Sequence, residues 1–181
     1  TAIDTGVDED QVTIESTSSE LVVDTGTEND VVDVRTIGAK TTLNLGEDAD
    51  RVVVSSTAPT PGGIVAGIAA ELIVNGGLGG DTLVVDNAGD SGANTGSLTN
   101  THVMGLEMAS GIAYDSIEML DILLGDLVDN FTIVTTFDNT ITTLNSGDGA
   151  DIIDIEAVNG PTFVDSGDGA DVVNVTPSAS G

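Results

Sequence analysis

Cysteine is absent from the 181 residues, which rules out both a disulfide framework and a thiolate metal site. The absence does not fix the compartment. Tryptophan is absent too, and Tyr114, Phe131, Phe137 and Phe163 make up the whole aromatic complement. Deep ligand pockets usually have aromatic walls, so none is expected here. Positive charge is almost missing: Arg35, Lys40 and Arg51 stand against 31 acidic residues, for a formal net charge of -28. Phosphate binding needs lysine and arginine, so nucleic acid is excluded as a partner. A single histidine, His102, rules out a histidine cluster for zinc. No apolar run reaches the 18 or so residues a membrane span requires, and no signal-peptide pattern is present. The most hydrophobic stretch, residues 64–73, is interrupted by Gly67 and Glu71.

So one-sided a charge usually marks a self-repelling, unfolded chain. Yet mean hydropathy is +0.20, and Val, Ile and Leu recur in tight alternation. Together these fit a protein that folds when bound cations neutralise its acids.

What is present is a repeat. Seven times a glycine is followed four residues later by an aspartate: Gly6/Asp10, Gly26/Asp30, Gly46/Asp50, Gly77/Asp81, Gly125/Asp129, Gly147/Asp151 and Gly167/Asp171. The intervals between the glycines are 20, 20, 31, 48, 22 and 20 residues. Three positions before each glycine sits an apolar residue, as at Val23, Leu43, Val74 and Leu144. Six and eight positions after it sit two more, such as Val32 and Val34, or Ile153 and Ile155. Period-two alternation marks strands with one buried face, and a fixed period near 20 marks a solenoid.

The fold expected is therefore all-β: a parallel β-solenoid (β-roll or β-helix) of about eight coils of about 20 residues, about 40 Å long. Right-handed coils are expected, as for parallel crossovers generally. Residues 1–181 read as one solenoid segment. The 31-residue step holds an insertion near residues 56–70, around Ala58-Pro59-Thr60-Pro61-Gly62-Gly63. The 48-residue step reads as two coils, the middle one degenerate, with a polar insertion near residues 86–100. The pattern is cut at Thr1-Ala2-Ile3 and at Thr176-Pro177, as in a fragment of a longer repetitive chain.

Stacked at one corner, the closing aspartates would form a column of like charge. Two carboxylates about 5 Å apart repel by roughly 3 kcal/mol at an effective dielectric of 20. Against a net stability of about 5–15 kcal/mol, several such contacts need compensation. A bound cation, a raised carboxylate pKa or displacement into solvent would each supply it. Glycine beside the aspartate allows carbonyl oxygens to turn into the loop. Calcium takes six to eight oxygen ligands and accepts carbonyls mixed with carboxylates, whereas magnesium demands a tighter octahedron. Several calcium ions are expected, with ligands from Asp10, Asp30, Asp50, Asp81, Asp129, Asp151 and Asp171. Gly77, Gly79, Gly147, Gly149, Gly167 and Gly169 would contribute main-chain oxygens. In the early turns Asp8 and Asp48 replace the second glycine and offer a side-chain oxygen instead. The Gly125-Asp126-Leu127-Val128-Asp129 turn departs furthest from the pattern and reads as a remnant. Two positions before most of these glycines stands Asp or Asn (Asp4, Asp24, Asn44, Asn75, Asn145, Asp165), either an extra ligand or a ladder at the strand end.

The turns Gly76-Gly77-Leu78-Gly79-Gly80-Asp81-Thr82-Leu83-Val84 and residues 146–154 resemble the G-G-x-G-x-D-x-U-x nonapeptide of the RTX (haemolysin-type) calcium-binding repeats. RTX rolls usually place the motif at both turns of an 18-residue coil; here one turn per 20 residues carries it. The central stretch, with Asn94-Thr95-Gly96-Ser97-Leu98-Thr99 and Gly111-Ile112-Ala113-Tyr114-Asp115, is similar to an insert recurring in very long repetitive bacterial surface proteins. The resemblances imply an extracellular, calcium-loaded structural or adhesive segment. Its partners would be neighbouring repeats of the same chain, with lateral or end-to-end self-association. Two alternatives stand beside this. A solenoid enzyme acting on polysaccharides would need basic or aromatic groups that the chain lacks, so no enzyme is expected. An ice- or surface-binding face would need sustained Thr rows, but Thr27 aligns with Val7, Glu47, Leu78 and Asp148.

Overall fold

A computed structural model describes residues 1–176; the expected break in the pattern at Pro177 lies outside the described residues. The first strands are β1 (Ala2–Asp4), β2 (Gln11–Ile14), β3 (Leu21–Gly26), β4 (Val31–Val34), β5 (Thr41–Glu47) and β6 (Arg51–Val54). The middle holds β7 (Leu72–Leu78), β8 (Thr82–Asp86), β9 (Thr95–Leu98), β10 (His102–Gly105), β11 (Ile112–Asp115) and β12 (Met119–Leu123). The last are β13 (Asn130–Ile133), β14 (Ile141–Asn145), β15 (Ile152–Ile155), β16 (Thr162–Asp165) and β17 (Val172–Val175). Among the described residues there is no helix, and so none long and apolar enough to cross a membrane.

The strands form two sheets. One has ten strands in the order β1-β3-β5-β7-β11-β10-β9-β13-β15-β17, the other seven in the order β16-β14-β12-β8-β6-β4-β2. All pairings are parallel except those of β10 with β9 and with β11. The chain is thus all-β with many-stranded parallel sheets, consistent with a β-solenoid.

Alternation sets which side chains face inward. Along β5, Thr41, Leu43 and Leu45 are buried while Thr42 and Asn44 are only partly covered. Val23, Leu43 and Val74 line the core from one sheet, and Val32, Val52 and Leu83 line it from the other, all fully buried. Each such side chain contributes about 1.5–3 kcal/mol. At the last strands the same inward positions are open: Val173 and Val175 are exposed, because among the described residues β17 is the edge strand of its sheet.

Register follows the sequence period. Leu21 pairs with Thr41 and Val31 with Arg51; across the longer step Thr41 pairs with Leu72 and Arg51 with Thr82. The eleven extra residues are therefore excluded from both sheets. Part of the insertion folds back over the outer face of the seven-stranded sheet, where buried Ala58 packs on Val53 and Val84, while Val65 turns into the main core. The Arg35 Nε donates to the Ala58 carbonyl at 2.9 Å. Asp86 accepts from Ser55 Oγ and from the amides of Gly62 and Gly63.

The central step differs from the expected degenerate coil. β11 and β12 stack directly on β7 and β8, as one further turn of the pattern. β9 and β10 are instead added to the ten-stranded sheet as an antiparallel meander, and β13 then pairs with β9 in parallel. β9 precedes β11 in sequence yet lies beyond it in the sheet. The expected insertion near residues 86–100 is accordingly part loop and part strand, since residues 95–98 are β9.

Candidate cation site: two carboxylate ladders

The closing aspartates point inward and stack, each tied to the next by two hydrogen bonds. The Asp10 amide donates to Asp30 Oδ1 at 2.7 Å, Asp30 to Asp50 Oδ1 at 2.8 Å and Asp50 to Asp81 Oδ1 at 2.9 Å. In the other direction, the amides of Val31, Arg51 and Thr82 donate to the carbonyls of Asp10, Asp30 and Asp50. The ladder continues onto a residue without the glycine turn: the Asp81 amide donates to Glu118 Oε2 at 2.8 Å. A second ladder starts at Asn94, whose amide donates to Asp129 Oδ1 at 2.6 Å. Asp129 then donates to Asp151 Oδ1 (2.8 Å) and Asp151 to Asp171 Oδ1 (3.1 Å).

The expected single column is therefore two. The first four Gly/Asp turns lead from the ten-stranded to the seven-stranded sheet, as from β3 to β4. The last three lead back the other way, as from β14 to β15. Contacts between successive turns confirm the change of edge. A side chain at Gly125 would strike the Asp90 carbonyl, and one at Gly89 would strike Gly62, so the second ladder continues the line of return turns. The first ladder instead runs on to residues 116–118 and then, through Thr140 Oγ1 donating to the Ile117 carbonyl, to turns that carry no closing acid. The meander shifts the phase by half a coil.

The glycines have a reason of their own. Gly46 has φ +110°, and a Cβ there would sit 2.0 Å from the Gly26 carbonyl oxygen. Gly169 has φ +156°, and its Cβ would sit 1.4 Å from the Gly149 oxygen. Gly77, Gly147 and Gly167 meet the preceding turn in the same way. The carbonyl of the preceding turn occupies the space a side chain would need, so close stacking by itself demands glycine. Gly79 likewise lies against the Asp48 carbonyl. Asp8 and Asp48 occupy positive φ (85° and 79°) and are exposed, with Asp48 Oδ2 accepting only the Glu28 amide at 3.2 Å. They are not brought into the buried ladders as side-chain ligands. Asp129, expected to be a remnant, is fully buried and placed like the rest.

Burial decides the electrostatics. Asp30, Asp50, Asp81, Asp129 and Asp151 are each at most 2% exposed, so escape into solvent is closed to them. One oxygen of each accepts a main-chain amide, but the other has no partner. These orphaned oxygens are Oδ2 of Asp30, Asp50, Asp81, Asp129 and Asp151, and Oδ2 of half-buried Asp10 is unpartnered as well. Desolvation is the largest influence on Asp50, raising its pKa from 3.8 to about 6; the Asp30 amide opposes it, and Asp81, Asp30 and Asp48 reinforce it. Asp129 is likewise raised to about 6, first by burial, against the Asn94 amide and with help from Asp151 and Asp90. Asp81 is raised by burial, with Glu118 adding repulsion. Lost hydration, rather than the mutual repulsion emphasised by the sequence, is the main cost of ionising these groups.

The Asp/Asn row before the glycines is a ladder of its own. Asn44 Nδ2 donates to Asp24 and Asn75 Nδ2 donates to Asn44 Oδ1. At the other edge Asn145 and Asp165 accept the amides of Gly147 and Gly167, closing the turn. These contacts favour the strand-end reading over extra ligands.

Glu118 and Asn94 are the site residues that sequence reasoning missed. Neither has a glycine four residues earlier, and only the stacking of β12 on β8 and of β13 on β9 reveals them. Asn94 Oδ1 is itself buried and without a partner. No cluster of three or more Asp, Glu, His or Cys side chains gathers as a metal cage among the described residues. A cation here would complete its shell from main-chain carbonyls and water. No known protein family, no curated protein and no solved structure matches the chain.

Proposed function

We propose that this chain is a calcium-binding structural segment, a rod of about eight right-handed coils stiffened by ions along two edges. The observation that carries this is the run of buried, unpartnered Asp Oδ2 atoms at successive steps of both ladders. A buried ionised oxygen with no partner is costly, and a hard divalent cation between steps about 4.8 Å apart offsets that cost. Calcium suits the site because carboxylate, carbonyl and water oxygens together satisfy its flexible shell. The resemblance of the turns to RTX repeats supports the same reading and an extracellular location, where calcium is abundant. The role is structural or adhesive rather than enzymatic. Near-absent basic and aromatic groups leave no furnished substrate groove.

Folding then couples to the ion, because the ladders exist only in the folded chain. Exhaustive chelation followed by calcium titration, with circular dichroism and bound metal measured together, tests it. The expected result is calcium binding at several sites with a cooperative rise in thermal stability. A chain that takes up no calcium and melts identically in chelator and in millimolar calcium would sink the proposal.

A further inference from the structure

Where the first ladder meets the meander, the surroundings of the carboxylate change. In the other turns the residue before the glycine carries a side chain: Thr5, Thr25, Leu45, Leu124, Ser146 and Ser166. Thr25, Leu45, Leu124 and Ser146 are buried there. At Asp81 that residue is Gly76, which is not in the left-handed region, so its backbone does not demand glycine. The space a side chain would fill holds two oxygens instead. An added Cβ would lie 1.8 Å from the Ser116 carbonyl oxygen and 2.6 Å from Asp81 Oδ2. Asp81 is fully buried and that Oδ2 has no partner. Directly above it, Glu118 Oε2 accepts the Asp81 amide, while the amides of Glu118 and Met119 both donate to the Asp81 carbonyl. Ser116 is held at φ +53°, a left-handed conformation uncommon for serine, in the tight bend that connects β11 to β12.

We propose that this seam is a distinct calcium site, formed by Asp81 Oδ2, the Ser116 carbonyl and the Glu118 carboxylate. It rests on the calcium reading above but uses residues outside any glycine turn. The absence of a side chain at Gly76 lets the Ser116 carbonyl approach Asp81 Oδ2, and the Glu118 carboxylate, 37 residues along the chain from Asp81, is held beside them on the Asp81 amide. Glu118 is partly exposed, which gives water and the ion a route in. An ion here ties the bend after β11 to the turn after β7. It thereby pins the base of the meander that moves the acids from one edge to the other.

Tyr114, the only tyrosine, lies two residues before Ser116, about 7 Å along the strand. Tyrosine-sensitised terbium luminescence therefore reports on an ion at or beside this seam, and Glu118→Gln assigns it. In the full chain, terbium is expected to give tyrosine-excited emission that calcium displaces, and Tyr114→Phe should remove the emission while leaving the calcium count unchanged. Glu118→Gln should weaken terbium and calcium at this site at least 10-fold and lower the calcium count by one. The exposed, charge-matched change Glu156→Gln should do neither. Calcium bound in number without tyrosine-sensitised emission in the wild type, or emission unchanged in Glu118→Gln, overturns the seam site and leaves the wider calcium reading standing. Absence of any calcium binding by the wild type overturns both. Absence of wild-type emission overturns the seam site even if Glu118→Gln fails to fold.

Discussion

Replacing Asp50 by asparagine separates the roles of shape and charge in the ladder. Asparagine keeps an oxygen to accept the Asp30 amide, now made by Asp50 Oδ1 at 2.8 Å, and removes the ionisation. With the carboxyl raised from 3.8 to about 6, keeping it ionised at pH 7.5 costs about 3 kcal/mol relative to the unfolded chain. The sign follows from proton binding. The folded state holds this proton more tightly than the unfolded state, so the cost is absent below pH 3.8, grows toward about pH 6 and is complete above it. The new amide nitrogen inherits the place of the unpartnered Oδ2, which returns about 1 kcal/mol of that gain. In chelator at pH 7.5, Asp50→Asn is therefore expected to be about 2 kcal/mol more stable than wild type, a melting temperature roughly 4–8 °C higher for a chain of this size. At pH 4 the advantage vanishes or reverses slightly. In millimolar calcium the order inverts, because the wild type gains from the ion and the variant loses a ligand. Thermal unfolding followed by circular dichroism under these three conditions is the assay. A variant less stable than wild type in chelator at pH 7.5 would refute the argument that ionisation of a buried carboxylate is what the ladder must offset.

Without metal, the wild type should gain stability as pH falls from 7.5 toward 4.5, since both Asp50 and Asp129 are raised to about 6 by burial; urea midpoints across this range measure it, and a monotonic loss on acidification contradicts it. Gly46→Ala should destabilise by about 3 kcal/mol or more, because its Cβ would sit 2.0 Å from the Gly26 carbonyl at φ +110°; a melting temperature within a degree of wild type would show that the stacking is looser than described. Phe131→Ala removes a side chain only 1% exposed at the start of β13 and should cost about 3–5 kcal/mol in chemical denaturation, with little effect on the tyrosine-reported seam.

The period, the inward faces and the identity of most closing acids were legible along the chain. Each follows from local chemistry: alternation picks the buried side of a strand, as at Thr41, Leu43 and Leu45, and glycine with aspartate marks the turn. Even the 31-residue step was legible, because Ala58-Pro59-Thr60-Pro61-Gly62-Gly63 cannot continue a ladder. Which edge each turn occupies was not legible in the sequence and is set by the folded arrangement of the strands. Periodicity measures distance along the chain and carries no record of which sheet a strand joins. The meander of β9 and β10 reverses spatial order against sequence order, so Asp81 stacks under Glu118 while Asp129 stacks on Asn94. One predicted column thus became two, because strand pairing across the insert, rather than the repeat itself, places the carboxylates.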